Sequence, residues 1–147
     1  MKIYIASDHV GFLLKKALIE YLEGKNFEVI DLGPSNDIRI NYTDYAKKLC
    51  EKLLKEKSEH KGVLICSTGV GMSMAANRFK GIRAALCTNE YMAKITIQHN
   101  NANVLCLGSR VIGEELAKSI LDAFLSTKFE GGRHLPRVIQ LDQLCDI

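Results

Sequence analysis

The sequence predicts a three-layer α/β/α, Rossmann-like domain with a five-stranded parallel sheet and a carboxyl-terminal arm. Three observations carry this: five short apolar or β-branched runs, longer stretches of helical period between them, and turn chemistry where each run ends. Near-continuous apolar strands alternating with amphipathic helices require crossover connections, and those place helices on both faces of a parallel sheet.

The first run is Lys2 to Ala6, ending in Ser7-Asp8-His9. Val10, Leu14, Ala17, Leu18, Tyr21 and Leu22 then recur at three and four residues and make a helix. Phe27 to Leu32 is the second strand, followed by a polar loop around Gly33 to Tyr42. Ala46, Leu49, Cys50, Leu53 and Leu54 form the next helical stripe, and Gly62 to Cys66 the third strand. Arg83 to Cys87 is the fourth strand, a helical stretch runs from near Asn89 to His99, and Asn103 to Leu107 is the fifth strand. Leu116, Ile120, Leu121, Phe124 and Leu125 mark the last long helix. A tail from Gly131-Gly132, about residues 131–147, carries Leu135, Val138, Ile139, Leu141 and Leu144. It reads as an ordered arm that packs on a partner subunit.

At 147 residues, with 47% hydrophobic and 25% charged side chains, the chain reads as one globular domain spanning 1–147 and not as a disordered one. A formal charge of +3 without a polybasic block or interleaved aromatics gives no support to a nucleic-acid partner. The amino terminus lacks the hydrophobic region of a secretory signal, and no apolar run approaches a membrane span. Cys50, Cys66, Cys87, Cys106 and Cys145 are odd in number and far apart, with no CxxC pair and no His at ligand spacing. A reduced, cytoplasmic protein without structural metal is the expectation.

Open parallel sheets bind ligands beyond the carboxyl ends of their strands. Those ends carry Ser7-Asp8-His9, Cys66-Ser67-Thr68-Gly69-Val70-Gly71 and Gly108-Ser109-Arg110. Asp8 and Thr68 taken alone read equally well as helix caps. CSTGVG is a candidate oxyanion or phosphate cradle, since glycines let backbone N–H groups approach a ligand and the following helix directs its positive end at an anion. A P-loop would need Lys after the last Gly, a dinucleotide turn Gly where Met74 stands, and a CxxxxxR phosphatase Arg where Met72 stands. Cys66 is the reactive thiol by its neighbours, because a helix amino terminus favours an anion. Cys87 and Cys106 lack such a turn and read as small hydrophobes. His99 belongs near the opposite rim of its own subunit, so it is either a helix-end histidine or a contribution to another subunit's site. Arg133 and Arg137, four apart in Gly131-Gly132-Arg133-His134-Leu135-Pro136-Arg137, suit an anion through their planar forks. Their alternative is a solvated tail face.

The stretches SDHVGFLLK, EVIDLG, ICSTGVGMSMAANRFKGIRAAL, HNNANVLCLGSRVIG and FEGGRHLPRV cover nearly the whole chain. On these the chain resembles the ribose-5-phosphate isomerase B family, related to the galactose-6-phosphate isomerase subunits. The resemblance implies interconversion of D-ribose 5-phosphate and D-ribulose 5-phosphate without metal or organic cofactor, in a homodimer or dimer of dimers with shared sites. It further implies Cys66 as the base acting through an enediolate and His99 as the group that assists ring opening. Asp8 and His9 would contact the sugar, and Ser67, Thr68, Gly69, Val70 and Gly71 would hold the enediolate oxygens. Asn100, Arg110, Arg133 and Arg137 match substrate and phosphate contacts, and Tyr42 a position in the loop after the second strand.

The chain departs from many relatives at Asn101, where they carry an acidic residue. Relatives without the cysteine use a glutamate in the following helix, but Ser73, Met74 and Ala75 offer no carboxylate here. Two other functions compete: an isomerase of allose or galactose 6-phosphate, separated only by pocket depth, and a non-catalytic phosphate-binding module. The module would need an acidic metal cluster at the sheet rim, which Asp8 alone does not supply.

Overall fold

The computed structural model describes residues 1–146; Ile147, the last residue of the expected arm, lies outside them. Five parallel strands form one sheet: β1 (Lys2–Ser7), β2 (Glu28–Asp31), β3 (Lys61–Cys66), β4 (Ala84–Leu86) and β5 (Val104–Gly108). Their order is β2-β1-β3-β5-β4. Register pairs Ser7 with Ile65 and Cys66 with Gly108, so the carboxyl ends of the three central strands are level.

Helices cover both faces, as the three-layer expectation requires. Ile3, Ile5, Val63, Ile65, Leu105 and Leu107 pack against α1 (Phe12–Gly24), α4 (Glu90–Asn100) and α5 (Glu114–Ser126). The alternate residues Tyr4, Ala6, Leu64, Cys66, Val104 and Cys106 face α2 (Tyr42–Lys55) and α3 (Val70–Ala76). The period of two along each strand sends neighbouring side chains to opposite cores, which explains why all six residues of β3 are buried.

Helix ends follow local chemistry. After α1, Asn26 adopts φ +65°, and the N–H groups of Asn26 and Phe27 bond the carbonyls of Glu23 and Leu22, a Schellman stop that Asn tolerates without a glycine. Asn89 accepts the N–H of Met92 and caps α4. At the other end of α4, Asn101 sits at φ +48°, a left-handed conformation open to both Asn and Asp. The departure from the acidic residue of relatives therefore leaves this backbone turn intact.

The arm is ordered. A 3₁₀ turn over Gly132–His134 leads into α6 (Leu135–Gln143) and a last 3₁₀ turn, Leu144–Asp146. Ion pairs Arg83–Asp142 (3.0 Å) and Lys80–Asp146 (2.7 Å) tether it to its own chain. Of the five apolar residues named above, only Val138 is buried, while Leu135, Ile139, Leu141 and Leu144 are 44–60% exposed. Among the described residues, no helix is long and apolar enough to cross a membrane.

Candidate active site

From β1 the chain turns to the α1 face, and from β3 to the α3 face, so the connections diverge between adjacent strands and open a crevice at their carboxyl ends. Backbone hydrogen bonds stitch that rim together. Asp8 N–H donates to Ile65 O at 3.0 Å, Ser109 N–H to Cys66 O at 2.9 Å and Arg110 N–H to Ser67 O at 3.0 Å. Asp8, His9, Cys66, the Ser67–Gly71 turn and Arg110 thus form one group, as their positions at strand ends imply.

Cys66 closes β3 with 5% of its surface exposed, and the N–H of Gly69 points at its Sγ from 3.2 Å. Such a donor interacts more strongly with an anionic sulfur than with a neutral one. Gly69 has φ +80°, and a Cβ there would stand 2.5 Å from Leu86 and 3.0 Å from the Leu107 carbonyl carbon, so only glycine makes this turn. α3 has seven residues, too few for a large macrodipole. The anion-holding capacity of the turn lies instead in the N–H groups of its first residues, which no helix can pair internally.

Thr68 accepts the Val70 N–H at 3.2 Å, and Asp8 accepts the Gly11 N–H at 2.9 Å. Each thus satisfies a backbone donor in the turn before its helix, although neither is the N-cap, which is Gly11 for α1 and Gly69 for α3. The Thr68 hydroxyl still has its proton to donate, and its side chain is exposed. Tyr42, the first residue of α2, lays its ring where a Gly71 side chain would be, 2.8 Å from a Cβ at that position. His9 accepts the Ile40 N–H on Nδ1 at 3.3 Å, so the neutral ring carries its proton on Nε2. Burial pushes the thiol of Cys50 up to about 12, that of Cys87 up to about 11, and that of Cys106 well above its ordinary range.

The second group of expected residues is elsewhere. α4 runs antiparallel to the strands, so His99 and Asn100 at its end sit near the start of β5, whereas Cys66 pairs with the end of β5. At about 3.3 Å per residue the length of β5, on the order of 15 Å, separates them. Arg133 lies beside His134 at the root of the arm, and Arg137 is exposed on α6. Asn100 lines a 660 Å³ cavity between the arm and the α3–β4 edge, with Arg78, Arg83 and Leu141. One chain does not bring His99, Asn100, Arg133 and Arg137 to Cys66.

Two neighbours of His99 are absent from the sequence-based set although both lie in the FEGGRHLPRV stretch. His134 is buried and stacks on His99, and Glu130 places a carboxylate oxygen 3.4 Å from His134 Nε2. Their ligand atoms lie within 4.8 Å of one another, yet imidazole lone pairs lie in the ring plane, and two stacked rings cannot aim them at one ion as they stand.

Comparison with known proteins agrees with this fold. Residues 3–141 match the family model described as Ribose/Galactose Isomerase. Ribose-5-phosphate isomerase B of Escherichia coli is 47% identical over 137 residues, covering 93% of this chain and 91% of that protein. The solved ribose 5-phosphate isomerase of Thermotoga maritima superposes with a TM-score of 0.93 at 51% identity, covering 97% of each chain. The Mycoplasma genitalium ribose-5-phosphate isomerase B, solved with bound ribulose-5-phosphate, gives a TM-score of 0.93 at 46% identity, covering 97% of this chain and 95% of that one. By sequence along nearly its whole length and by fold, the chain belongs to the ribose/galactose isomerase family of enzymes.

Proposed function

We propose that this protein interconverts D-ribose 5-phosphate and D-ribulose 5-phosphate, with Cys66 as the base. The observation that carries the mechanism is the Cys66 sulfur at the sheet crevice, facing the Gly69 N–H at 3.2 Å within a turn of backbone donors. The substrate reading is supported by relatives of similar length that bear this activity in their names.

In the open-chain aldose, the Cys66 thiolate takes the proton from C2, and the bonding pair moves so that charge develops on the C1 oxygen. Backbone N–H groups of the Ser67–Gly71 turn and the Thr68 hydroxyl hold the enediolate oxygens. Donors placed where charge develops are typically worth about 3 to 4 kcal/mol each. The thiol returns its proton to C1 while the proton of the C2 hydroxyl passes to the C1 oxygen, leaving a ketone at C2, a hydroxyl at C1 and the thiolate restored.

Asp8, His9 and Tyr42 line the sugar, with Arg110 at the same rim. His99, Asn100, Arg133 and Arg137 come from a partner chain in a homodimer or dimer of dimers, His99 to open the furanose ring and the arginines to hold phosphate. The separation of the two groups within one chain and the exposed apolar side chains of the arm support shared sites, with residues 131–147 packing on the partner.

NMR with ribose 5-phosphate in deuterated water tests this. The expected result is ribulose 5-phosphate with deuterium at the exchanging carbon. Because the family description includes galactose isomerases, allose and galactose 6-phosphates are the comparison substrates. Faster turnover of either would move the assignment to six-carbon sugars. No conversion or exchange with any of them would favour a phosphate-binding module.

A further inference from the structure

We propose that Lys15 is a positioning residue of this site: its buried ammonium holds the root of the 33–41 loop and, through that loop, sets His9 and Tyr42. The Lys15 side chain is fully buried, an uncommon place for a lysine unless its charge is needed. Its Nζ donates to Asp31 Oδ1 at 2.7 Å and to the carbonyl oxygen of Pro34 at 2.6 Å, and it lies 5.5 Å from the centroid of the Phe12 ring. The same Asp31 oxygen accepts the Gly33 N–H at 2.9 Å, and the Gly33 carbonyl accepts the Ser7 N–H at 3.1 Å. One cation thus ties helix α1, the end of β2 and the first loop residues to the strand that delivers Asp8 and His9.

Beyond Pro34 the loop has little to hold it. Residues 35–39 are exposed, with Ile38 at 68%, and the Ile38 N–H donates only to Asn36 within the loop. The next tie to the body is the Ile40 N–H on His9 Nδ1, after which the chain enters α2 at Tyr42, over Gly71. The loop is therefore pinned at two ends, by Lys15 at one and by His9 with α2 at the other. Packing alone would be served as well by an apolar side chain of the same length. What only the ammonium provides is a simultaneous hold on a carboxylate and a loop carbonyl. Releasing Pro34 would let residues 35–41 shift, remove the donor that sets the His9 tautomer, and displace the Tyr42 ring from the rim.

The test compares Lys15→Met with the parent and with Lys16→Met, an exposed neighbour that should match the parent. Two readouts are taken: kinetics with ribose 5-phosphate, which rest on the proposed function, and the ¹⁵N–¹H correlation pattern of the His9 ring, which does not. The expected result is a Michaelis constant raised at least about tenfold with a smaller fall in turnover, and a His9 pattern changed from a single Nε2–H tautomer to a mixture. A merely structural lysine would lower the melting temperature and leave both readouts alone. A parental His9 pattern or a parental Michaelis constant overturns the proposal. Should Lys15→Met not fold, Asp31→Ala removes the exposed half of the clamp and is read in the same way. If the parent itself does not turn over ribose 5-phosphate, the His9 pattern alone decides.

Discussion

The imidazoles of His99 and His134 stack 4.2 Å apart between centroids, 13° from parallel, at the junction of α4 and the arm. Around them the Glu130 N–H bonds the Gln98 carbonyl at 3.1 Å, satisfying an acceptor in the last turn of α4. Any change of charge on this pair therefore acts on the placement of the arm.

Burial, and next the neighbouring His99, hold His134 below its ordinary value of 6.5; Arg133 and Arg137 push the same way and Glu130 opposes them. The folded chain binds this proton less readily than the unfolded one, so stability rises with pH from the lowered value up to 6.5 and is lost as the ring charges. Between about pH 7.5 and 5.5 the parent should lose more melting temperature than His134→Gln does. Parallel losses in the two proteins would remove the arm histidine as the cause.

Cys66→Ala should lose about a hundred- to ten-thousand-fold in turnover while still binding substrate, because the phosphate contacts proposed above are on other residues. Turnover within tenfold of the parent would refute the assigned base. Calorimetric titration separates binding from chemistry in the variant.

If sites are shared, mixing Cys66→Ala with His99→Ala subunits rebuilds one intact site per mixed dimer. Activity should then return to at most about half the parental value per dimer. Mixed dimers verified by mass and still inactive would contradict a cross-chain role for His99.

Arg137→Ala should raise the Michaelis constant more than it lowers turnover, since a phosphate contact is made equally in ground and transition states. Steady-state kinetics over a wide substrate range decide this. A loss confined to turnover would place Arg137 at the reacting atoms instead.

Gly69→Ala combines a left-handed backbone with a Cβ 2.5 Å from Leu86. The backbone cost alone is about 1 to 2 kcal/mol, and relief of the clash must move the N–H that faces Cys66. Activity should fall by a larger factor than the stability loss accounts for, as urea unfolding and turnover measured side by side would show.

Much of the fold was legible because it depends on periodicities. The strand runs at Lys2, Phe27, Gly62, Arg83 and Asn103 match the strands to within a residue or so at each end, since continuous apolar runs have few places to go except a sheet covered on both sides. The crevice group was legible for a related reason: residues that follow parallel strands must emerge on one rim. Strand order was not, because which side of β3 a strand joins depends on packing between distant segments.

The role of Lys15 was hidden for the same reason. In one dimension it is a lysine on a helix. Only the crossing of α1 by the turn after β2 places Asp31 and Pro34 at its ammonium. His134 likewise reads as part of a basic tail until the arm folds back on α4 and buries it against His99. The sequence by itself determined the layered fold, the family and the chemistry gathered at the strand ends, since these follow from local pattern and residue type. Tertiary structure decided which polar groups share a desolvated neighbourhood, because burial and hydrogen-bond geometry arise from contacts between segments far apart in the chain.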